Sequence, residues 1–288
     1  MFQHWEMLGV LYETGNITQA AKQLFVSQPT LTTRIKHLEE HYDIQLIVRK
    51  HRGIDFTPEG EELAMHAKKM LREQIYIEEK LNNMKNNVTG KLRVGVSHFF
   101  ALNKMPKILR LFKQLYPEVE FQVITGWSSD IYQRALNNDV HLSFIKGNYS
   151  WKEEKVLLYE EEVCIASPWE FTLEDLPKLP RIDYNTDGQN KIIMDNWWYN
   201  QFDKSPNVNI HVNQVETCKE MVVNGLGYAI LADLVVRPHD ELFTKTLYEP
   251  SGEAIKRNTW MYYHKDSIQM NIVKAFVQFV QTLDIKQL

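Results

Sequence analysis

Side chains suited to hydrogen bonding with another molecule are concentrated in one segment, SQPTLTTRIKHLEEHY, at residues 27–42. Ser27 is a good helix N-cap. Pro29 is tolerated in a first helical turn, because a backbone N–H there would have no intrahelical acceptor. Three apolar residues at i, i+4 and i+7 spacing predict an inward-facing stripe. They are Leu31, Ile35 and Leu38. The outward face then carries small hydroxyl groups, an unusual composition for a face that serves solubility alone.

Two helical segments before it must position this face. Apolar residues near i, i+3, i+4 spacing predict a helix over residues 2–13, which ends at the Gly15-Asn16 turn pair. A short helix with small residues follows at TQAAKQLF, residues 18–25. Two short helices joined by a tight turn, the second capped and polar on its outer face, are typical of a helix that enters the DNA major groove.

An apolar-basic-apolar hairpin is predicted over residues 44–57. Its tip is Arg49-Lys50-His51-Arg52-Gly53, which is where a β-hairpin wing would meet DNA phosphates. The whole chain has a net charge of −4, which argues weakly against a nucleic-acid partner. Half of the positive charges in residues 1–60 lie within 49–52, so the average conceals a local basic surface.

A long polar helix is predicted from Pro58 to about Asn86. Within it, seven residues recur at alternating four- and three-residue steps, the heptad pattern of a helix that pairs with another helix. These are Leu63, Ala67, Met70, Gln74, Ile77, Leu81 and Met84. The pattern indicates a dimer, and a dimer would contact two DNA half-sites.

The rest of the chain alternates predicted strands and helices, from LRVGV at residue 92 to a final helix around 268–283. This alternation is typical of an α/β domain with a partly parallel sheet. The two cysteines, Cys164 and Cys218, imply neither a disulfide framework nor a zinc site, and we expect no metal and no cofactor. The amino terminus has no secretory-signal pattern and no segment approaches a membrane span, so we expect a cytoplasmic protein without a membrane partner.

The run NITQAAKQLFVSQPTLTTRIKHLEEHYDIQLIVRKHRGIDFTPEGEELAMHAKKML resembles the winged helix-turn-helix and linker helix of LysR-type transcriptional regulators. The resemblance rests on the Ala-Ala pair, Ser-Gln-Pro, Ile-x-x-Leu-Glu and Thr-Pro-Glu-Gly. LRVGVS, PEVEFQVITG and VETCKEMVVNGLGYAIL resemble the family's effector domain more loosely. The resemblance implies a regulator of promoter DNA, and FIKGN with the late Arg257 resembles its citrate-responsive branch.

The implied fold is an N-terminal winged helix-turn-helix at 1–58, a linker and dimerisation helix at 59–88, and an effector-binding domain at 91–288. The effector domain would consist of two α/β subdomains, resembling a periplasmic binding protein, with a ligand cleft between them. Subdomain I would cover residues 91–162 and 267–288, and subdomain II residues 163–266. The partners implied are double-stranded promoter DNA, a small-molecule effector and further copies of the chain in a homodimer or homotetramer.

Carried over position by position, the resemblance implies two sets of binding residues. The DNA-binding set consists of Gln28, Pro29, Thr30, Thr32, Thr33 and Arg34 on the third helix and Arg49 and Arg52 on the wing. The effector-binding set lies at strand ends and consists of Ser97, His98, Phe99, Phe100, Gly126, Trp127, Ser128, Lys146, Thr217 and Arg257. Because Lys146 and Arg257 are cations at strand ends, the expected effector is a di- or tricarboxylate such as citrate.

Simpler interpretations stay open for several of these features. The threonine face alone fits a solvated helix, the heptad seam fits a helix packed on its own domain, and Lys146 and Arg257 fit ordinary surface or salt-bridge residues. The aromatic residues at 197–202 fit packing under a loop, and Cys218 fits either a buried small residue or an oxidant sensor. An enzyme is not expected, because the chain has no P-loop, G-x-G-x-x-G, G-x-S-x-G or H-E-x-x-H motif. A free-standing solute-binding protein would not need the first 85 residues.

Overall fold

The computed structural model describes residues 2–51, 53–83, 88–237 and 241–288. The chain divides into two compact units, residues 1–85 and 86–288, which are described separately. Arg52 and Met84, both singled out in the sequence, lie outside the described residues. Among the residues that are described, none of the helices is both long and apolar enough to cross a membrane.

The first unit is a helical bundle with a two-stranded wing. Its elements are α1 (Phe2–Thr14), α2 (Ile17–Gln23), α3 (Gln28–Tyr42), β1 (Ile47–Lys50), β2 (Gly53–Phe56) and α4 (Pro58–Asn83). Its core contains the three predicted inward residues of α3, Leu31, Ile35 and Leu38, together with the small residues of α2. The small α2 residues Ala20 and Ala21 are at most 3% exposed, which allows α3 to approach α2 closely.

The wing is held against the helices by a close backbone approach. The Ile54 N–H donates to the Gly15 carbonyl oxygen at 2.9 Å. A Cβ on Gly53 would lie 2.5 Å from that same oxygen, and Gly53 has φ +102°, so this position requires glycine. Thr57 begins α4 as an N-cap, with its Oγ1 accepting from the Gly60 N–H at 3.0 Å.

The two parts of the long helix α4 differ in burial. Leu63 and Ala67 pack into the core of the first unit, while Met70, Ile77 and Leu81 are 42%, 46% and 59% exposed. The predicted heptad seam is therefore split: its first part is packed within its own unit, and its later part is uncovered in the single chain.

The second unit is a mixed α/β domain. Its strands are β3 (Gly90–Ser97), β4 (Val119–Gly126), β5 (Leu142–Lys146), β6 (Glu154–Ser167), β7 (Arg181–Tyr184), β8 (Val208–Val212), β9 (Ala229–Ala232), β10 (Phe243–Thr246) and β11 (Lys256–Tyr263). Its helices are α5 (His98–Asn103), α6 (Met105–Leu115), α7 (Ser128–Leu136), α8 (Gly188–Gln201), α9 (Val215–Val223), α10 (Asp233–Val236) and α11 (Asn271–Gln281). The predicted fold class, a winged helix-turn-helix, a long helix and a two-subdomain α/β domain, is confirmed.

Strand β6 connects the two subdomains. Its first part pairs antiparallel with β11, which continues through β5, β3 and β4, with β3 parallel to both β4 and β5. Its last residues pair instead with β9 and β10. Because β11 pairs with β5, residues 256–263 lie in the first sheet, whereas the sequence analysis assigned 163–266 to the second subdomain. The chain therefore returns to the first subdomain near Lys256.

The aromatic residues at 197–202 belong to helix α8 and its C-cap. Trp197 and Trp198 are 5% and 1% exposed and pack with Phe202 in a core of the second subdomain. Tyr199, on the opposite side of the helix, is 59% exposed. Trp198 Nε1 also donates to the Lys204 carbonyl oxygen at 2.7 Å, in the loop that follows α8. The predicted packing under a loop is therefore confirmed for Trp198.

Candidate functional site

The predicted DNA-binding residues of α3 share one surface of the first unit. Gln28, Pro29, Thr30 and Thr33 are exposed, whereas Thr32 and Arg34 are half-buried. All six lie within the first two turns of the helix, where Pro29, Thr30 and Thr33 lie on the side opposite the buried stripe and the other three flank it. This is the part of a recognition helix that contacts base edges in a helix-turn-helix protein.

Local hydrogen bonds determine what these hydroxyl groups can offer to a ligand. The Ser27 Oγ accepts from the Thr30 N–H at 3.2 Å and lies 2.7 Å from the Thr30 Oγ1. The Thr33 hydroxyl donates to the Pro29 carbonyl oxygen at 3.0 Å. Because its proton is used within the helix, Thr33 presents an acceptor oxygen and a methyl group outward.

The wing is fixed to α3 by a side chain within the Ile-x-x-Leu-Glu motif. Glu39 Oε1 accepts from the Leu46 N–H at 2.8 Å and from the Ile47 N–H at 3.4 Å, which joins α3 to the start of β1. Arg49 is exposed on β1, and Lys50 forms an exposed ion pair with Asp55 on β2. The start of β1 is thus held in a defined position beside α3.

Within the second unit, one cleft brings together most of the predicted effector-binding residues. It holds about 590 Å³ of space, open side included. Eight of the ten candidates line it. These are Ser97, His98, Phe99, Gly126, Trp127, Ser128, Lys146 and Arg257.

Two predicted residues do not line this cleft. Phe100 is 0% exposed and stacks on Phe144 at 4.9 Å, because helix α5 turns its side chain back into the core. Thr217 is exposed but lies one residue beyond the part of α9 that reaches the cleft, which is formed there by Gln214, Val215 and Glu216. We therefore exclude Phe100 and Thr217 from the cleft lining.

The region that follows β7 also lines the cleft, although its residues were not predicted from the sequence. The segment Tyr184–Asp187, between β7 and α8, lines the cleft opposite the first subdomain. The signal was present as RIDYNTDG, a short apolar strand followed by polar residues. Ala232 and Val235, at the start of α10, complete the lining as apolar residues.

Both cleft cations are paired with buried carboxylates. Lys146 forms an ion pair with Glu161 of β6, and their side chains are 8% and 0% exposed. Lys146 Nζ also lies 4.4 Å from the centre of the Phe99 ring. Burial lowers the pKa of Lys146, and the charge of Glu161 opposes that change. Arg257 Nη2 lies 3.0 Å from Asp187 Oδ2, with side chains 9% and 7% exposed.

The cleft is also surrounded by helix N-termini. Helices α7, α8 and α9 begin there, with N-cap residues Trp127, Asp187 and Gln214. Asp187 caps its own helix, accepting from the Asn190 N–H at 2.9 Å. Trp127 and Gln214 make no side-chain capping bond, so the first N–H groups of α7 and α9 are available to an acceptor in the cleft.

The surroundings of Cys218, close to this cleft, do not suit redox chemistry. Cys218 is 0% exposed, its Sγ lies 3.7 Å from the Ile182 carbonyl oxygen, and burial raises its pKa to about 12. A buried, protonated thiol does not suit an oxidant sensor. Burial also raises the pKa of Tyr184, which lines the cleft, to about 12. In the described part of the chain, no cluster of three or more His, Cys, Asp or Glu residues is arranged to hold a metal ion.

Two protein-family models match the chain and together cover nearly all of it. The bacterial regulatory helix-turn-helix protein model of the lysR family matches residues 2–61. The LysR substrate binding domain model matches residues 85–284. The first match lies within the first compact unit, and the second match spans most of the second unit.

Curated relatives and solved structures agree with these matches. The uncharacterized HTH-type transcriptional regulator YraN of Bacillus subtilis is 39% identical over 277 residues, which covers 96% of each chain. YkuM of the same organism is 31% identical and covers 98% of this chain and 97% of its own length. Full-length CbnR complexed with its target DNA has a TM-score of 0.67 at 17% identity, covering 98% of this chain and 99% of CbnR. A full-length OxyR variant from Pseudomonas aeruginosa has a TM-score of 0.65 at 16% identity, covering 99% of each chain.

Proposed function

This chain belongs to the LysR family of transcriptional regulators, and we propose that α3 and the wing bind operator DNA under the control of a small carboxylate held in the cleft. It is a DNA-binding regulator with an effector-binding domain, and not an enzyme. The observation that carries the proposed ligand class is the cleft itself, where two cations and uncapped helix N-termini converge.

The proposed DNA contacts divide into two kinds. Gln28, Pro29, Thr30, Thr32 and Thr33 would contact base edges or the groove wall, since Gln pairs well with adenine and Thr with a thymine methyl. Arg34, Arg49 and Arg52 would contact phosphates, which position the protein without reading sequence.

The experiment for these contacts is operator affinity as a function of salt. Footprinting on the promoter regions flanking the gene, with and without a panel of metabolites, supplies the duplex and the half-site spacing. Wild-type affinity should fall steeply with salt, and Arg49→Ala should reduce the slope of log K against log salt by about 1. Arg110→Ala, an exposed arginine of α6, is the matched control and should leave that slope unchanged. A flat wild-type salt dependence would contradict the proposed contacts.

A carboxylate in the cleft would have to share or replace existing partners. Arg257 is already paired with Asp187, and Lys146 with Glu161, so a ligand carboxylate gains most where N–H groups are unoccupied, at the starts of α7 and α9. Charge-assisted hydrogen bonds and the helix dipoles then act together on the anion. Citrate and related di- and tricarboxylates are the first ligands to test.

Thermal melting tests this ligand class. Citrate should raise the melting temperature of the wild type, because a ligand that binds only the folded state stabilises it by mass action. Arg257→Ala should show a much smaller rise, and Arg110→Ala the full wild-type rise. Equal rises in the wild type and in Arg257→Ala would reject this site, and no rise with any acid of the panel would reject the carboxylate class.

We further propose that the later part of α4 pairs with a second copy of the chain, giving a homodimer or, from two such dimers, a homotetramer. Met70, Ile77 and Leu81 form an exposed apolar series on this helix. Leu81→Glu should shift sedimentation towards smaller species and weaken operator binding. Met65→Glu, also exposed on α4 but off the seam, should change neither. Unchanged assembly of Leu81→Glu would contradict this proposal.

The proposed mechanism is a shift between two populations. The effector would favour one geometry of the two subdomains, and the paired α4 helices would transmit that change to the spacing of the DNA-binding units. Footprints with and without ligand should then differ in their extent along the operator.

A further inference from the structure

The turn between α2 and α3 carries an aromatic residue whose side chain is not packed in the core. Phe25 is 95% exposed, so its ring is removed from water hardly at all. Its backbone has φ +54°, in the left-handed region that a bulky side chain rarely adopts. Both features make Phe25 a poor choice for stability alone.

The hydrogen bonds of this turn explain why the left-handed conformation is required. The Phe25 N–H donates to the Lys22 carbonyl oxygen at 3.2 Å, and the Val26 N–H to the Ala21 carbonyl oxygen at 3.0 Å. This pair of bonds is the Schellman motif that ends α2, and Phe25 occupies the position where glycine is most common. The chain therefore places a phenylalanine where its own turn favours glycine.

Two other non-glycine residues share this backbone conformation among the described residues, namely Asp43 and Asn138. Asp and Asn are the side chains that tolerate the left-handed region best. Phe25 alone of the three is a residue type for which the conformation is a real outlier. An outlier of this kind, when packing does not explain it, points to a role at a functional surface.

The position of Phe25 identifies that surface. It lies two residues before Ser27, the N-cap of α3, and two residues of extended chain span at most about 7 Å. The backbone of Phe25 therefore lies close to the end of α3 that carries the exposed Gln28 and Pro29. An uncovered aromatic ring continuous with a proposed groove-facing surface would contact whatever that surface binds.

We propose that Phe25 contacts operator DNA beside the recognition helix, with its ring against the C5-methyl group of a thymine in the major groove. Apolar contact with this methyl group is the way in which an aromatic side chain reads a base edge. The proposal rests on α3 being the recognition helix, and it adds a residue outside that helix to the reading of the half-site.

The experiment uses the full-length chain and the footprinted promoter duplex. Each thymine in the half-site is replaced in turn by deoxyuridine, which lacks only the methyl group. One such replacement should weaken wild-type binding about 4-fold, the effect of one buried methyl group. Phe25→Gly should bind the unmodified duplex more weakly than the wild type, and should be insensitive to that same replacement.

Three variants keep the result interpretable. Phe25→Asn accepts the left-handed conformation and serves if the glycine variant folds poorly, and Phe25→Tyr should retain sensitivity to the methyl group. Asn138→Gly makes the same backbone change in the second unit and should leave DNA binding unaltered. Because it relieves a strained conformation, Phe25→Gly should melt at or above the wild-type temperature.

Two outcomes would overturn the proposal. The first is wild-type affinity of Phe25→Gly with unchanged sensitivity to deoxyuridine. The second is loss of DNA binding together with loss of assembly in sedimentation, which would place Phe25 at a protein interface. A Gln28→Ala variant separates this from failure of the proposed function: if it also binds DNA as the wild type does, then α3 itself is not the recognition helix.

Discussion

The outward face of α3 and the cleft of the second unit differ in how their residues are brought together and in how far they are exposed. The α3 candidates are six residues on two turns of one helix, and four of them are exposed. The cleft is assembled from the ends of separate strands, from Ser97 to Arg257, and its charges are buried in pairs. The first surface leaves its polar groups open to solvent, whereas the two cations of the cleft are each paired with a carboxylate of the same unit.

This difference predicts where each region is sensitive to mutation. Exposed charges interact weakly with their partners because water and salt screen them. Buried charges cannot lose a partner without leaving an uncompensated charge in a medium of low dielectric constant. Substitutions in the cleft should therefore affect folding first, and substitutions on α3 and the wing should affect DNA binding first.

The largest effect is expected from Lys146→Met. It leaves Glu161, which is 0% exposed in its side chain, without its ion-pair partner. The free energy of unfolding should fall by about 3–5 kcal/mol. Urea unfolding measures this change, and Lys50→Met, which breaks the exposed ion pair with Asp55 in the wing, should cost at most about 1 kcal/mol.

A second substitution makes this test specific for the buried charge. Lys146→Met combined with Glu161→Gln should recover a large part of the lost stability, because the uncompensated charge is removed. If the double variant is no more stable than Lys146→Met alone, the cost comes from packing around Phe99 and not from charge. Equal costs for Lys146→Met and Lys50→Met would remove the contrast between the two regions.

Asp187→Asn should give the next largest effect and act on ligand binding in the opposite direction. Asparagine retains the N-cap of α8 but loses the charge that pairs with Arg257. The free energy of unfolding should fall by about 2 kcal/mol, since a hydrogen bond to a charged group is weakened. Citrate binding, measured by calorimetry, should become tighter because Arg257 no longer has an internal competitor. Unchanged or weaker citrate binding would mean that the ligand does not compete with Asp187.

The same contrast explains which parts of the site could be predicted from sequence. The α3 surface follows from one helix: its N-cap, its buried stripe and its outward hydroxyl groups all lie within 27–42. The cleft depends on which strand ends lie together in the fold. In addition, the direction of successive side chains changes within three residues when a helix follows a strand. His98 and Phe99 reach the cleft, whereas Phe100 turns into the core.

The buried partners of the cleft cations were not predictable in the same way. Glu161 lies within the long strand β6, opposite Arg257 in the pairing register, and nothing in the sequence pairs it with Lys146. Asp187 follows β7, a strand of only four residues, which gives a weak apolar signal. Both carboxylates depend on contacts between residues far apart in sequence, which periodicity does not report.

Ser27 provides a test on the α3 side in which stability and DNA binding separate. Ser27→Ala removes the N-cap bond to the Thr30 N–H and should cost about 1 kcal/mol in unfolding free energy. Ser27→Asp retains a cap of equal quality but adds a negative charge beside the proposed DNA surface. Operator affinity should therefore fall much more in Ser27→Asp than in Ser27→Ala, although Ser27→Asp is the more stable. The reverse order of affinities would show that the cap, and not the charge of this surface, controls binding.

The smallest effect is expected from His4, and it depends on pH. Burial lowers the pKa of His4 from its usual value of 6.5, and the neighbouring positive charges, among them Arg34, His37 and His41, lower it further. Because the unfolded chain takes up a proton that the folded chain resists, the stability of the first unit should decrease as pH falls through about 6.5. His4→Gln removes this contribution, so its melting temperature should depend less on pH than that of the wild type, by on the order of 1 °C between pH 7.5 and 5.5. Identical pH profiles for His4→Gln and the wild type would show that His4 does not contribute to this pH dependence. Neighbouring positive charges that stay in contact with water thus cost little stability beside α3, whereas the buried charges of the cleft occur as pairs of opposite sign.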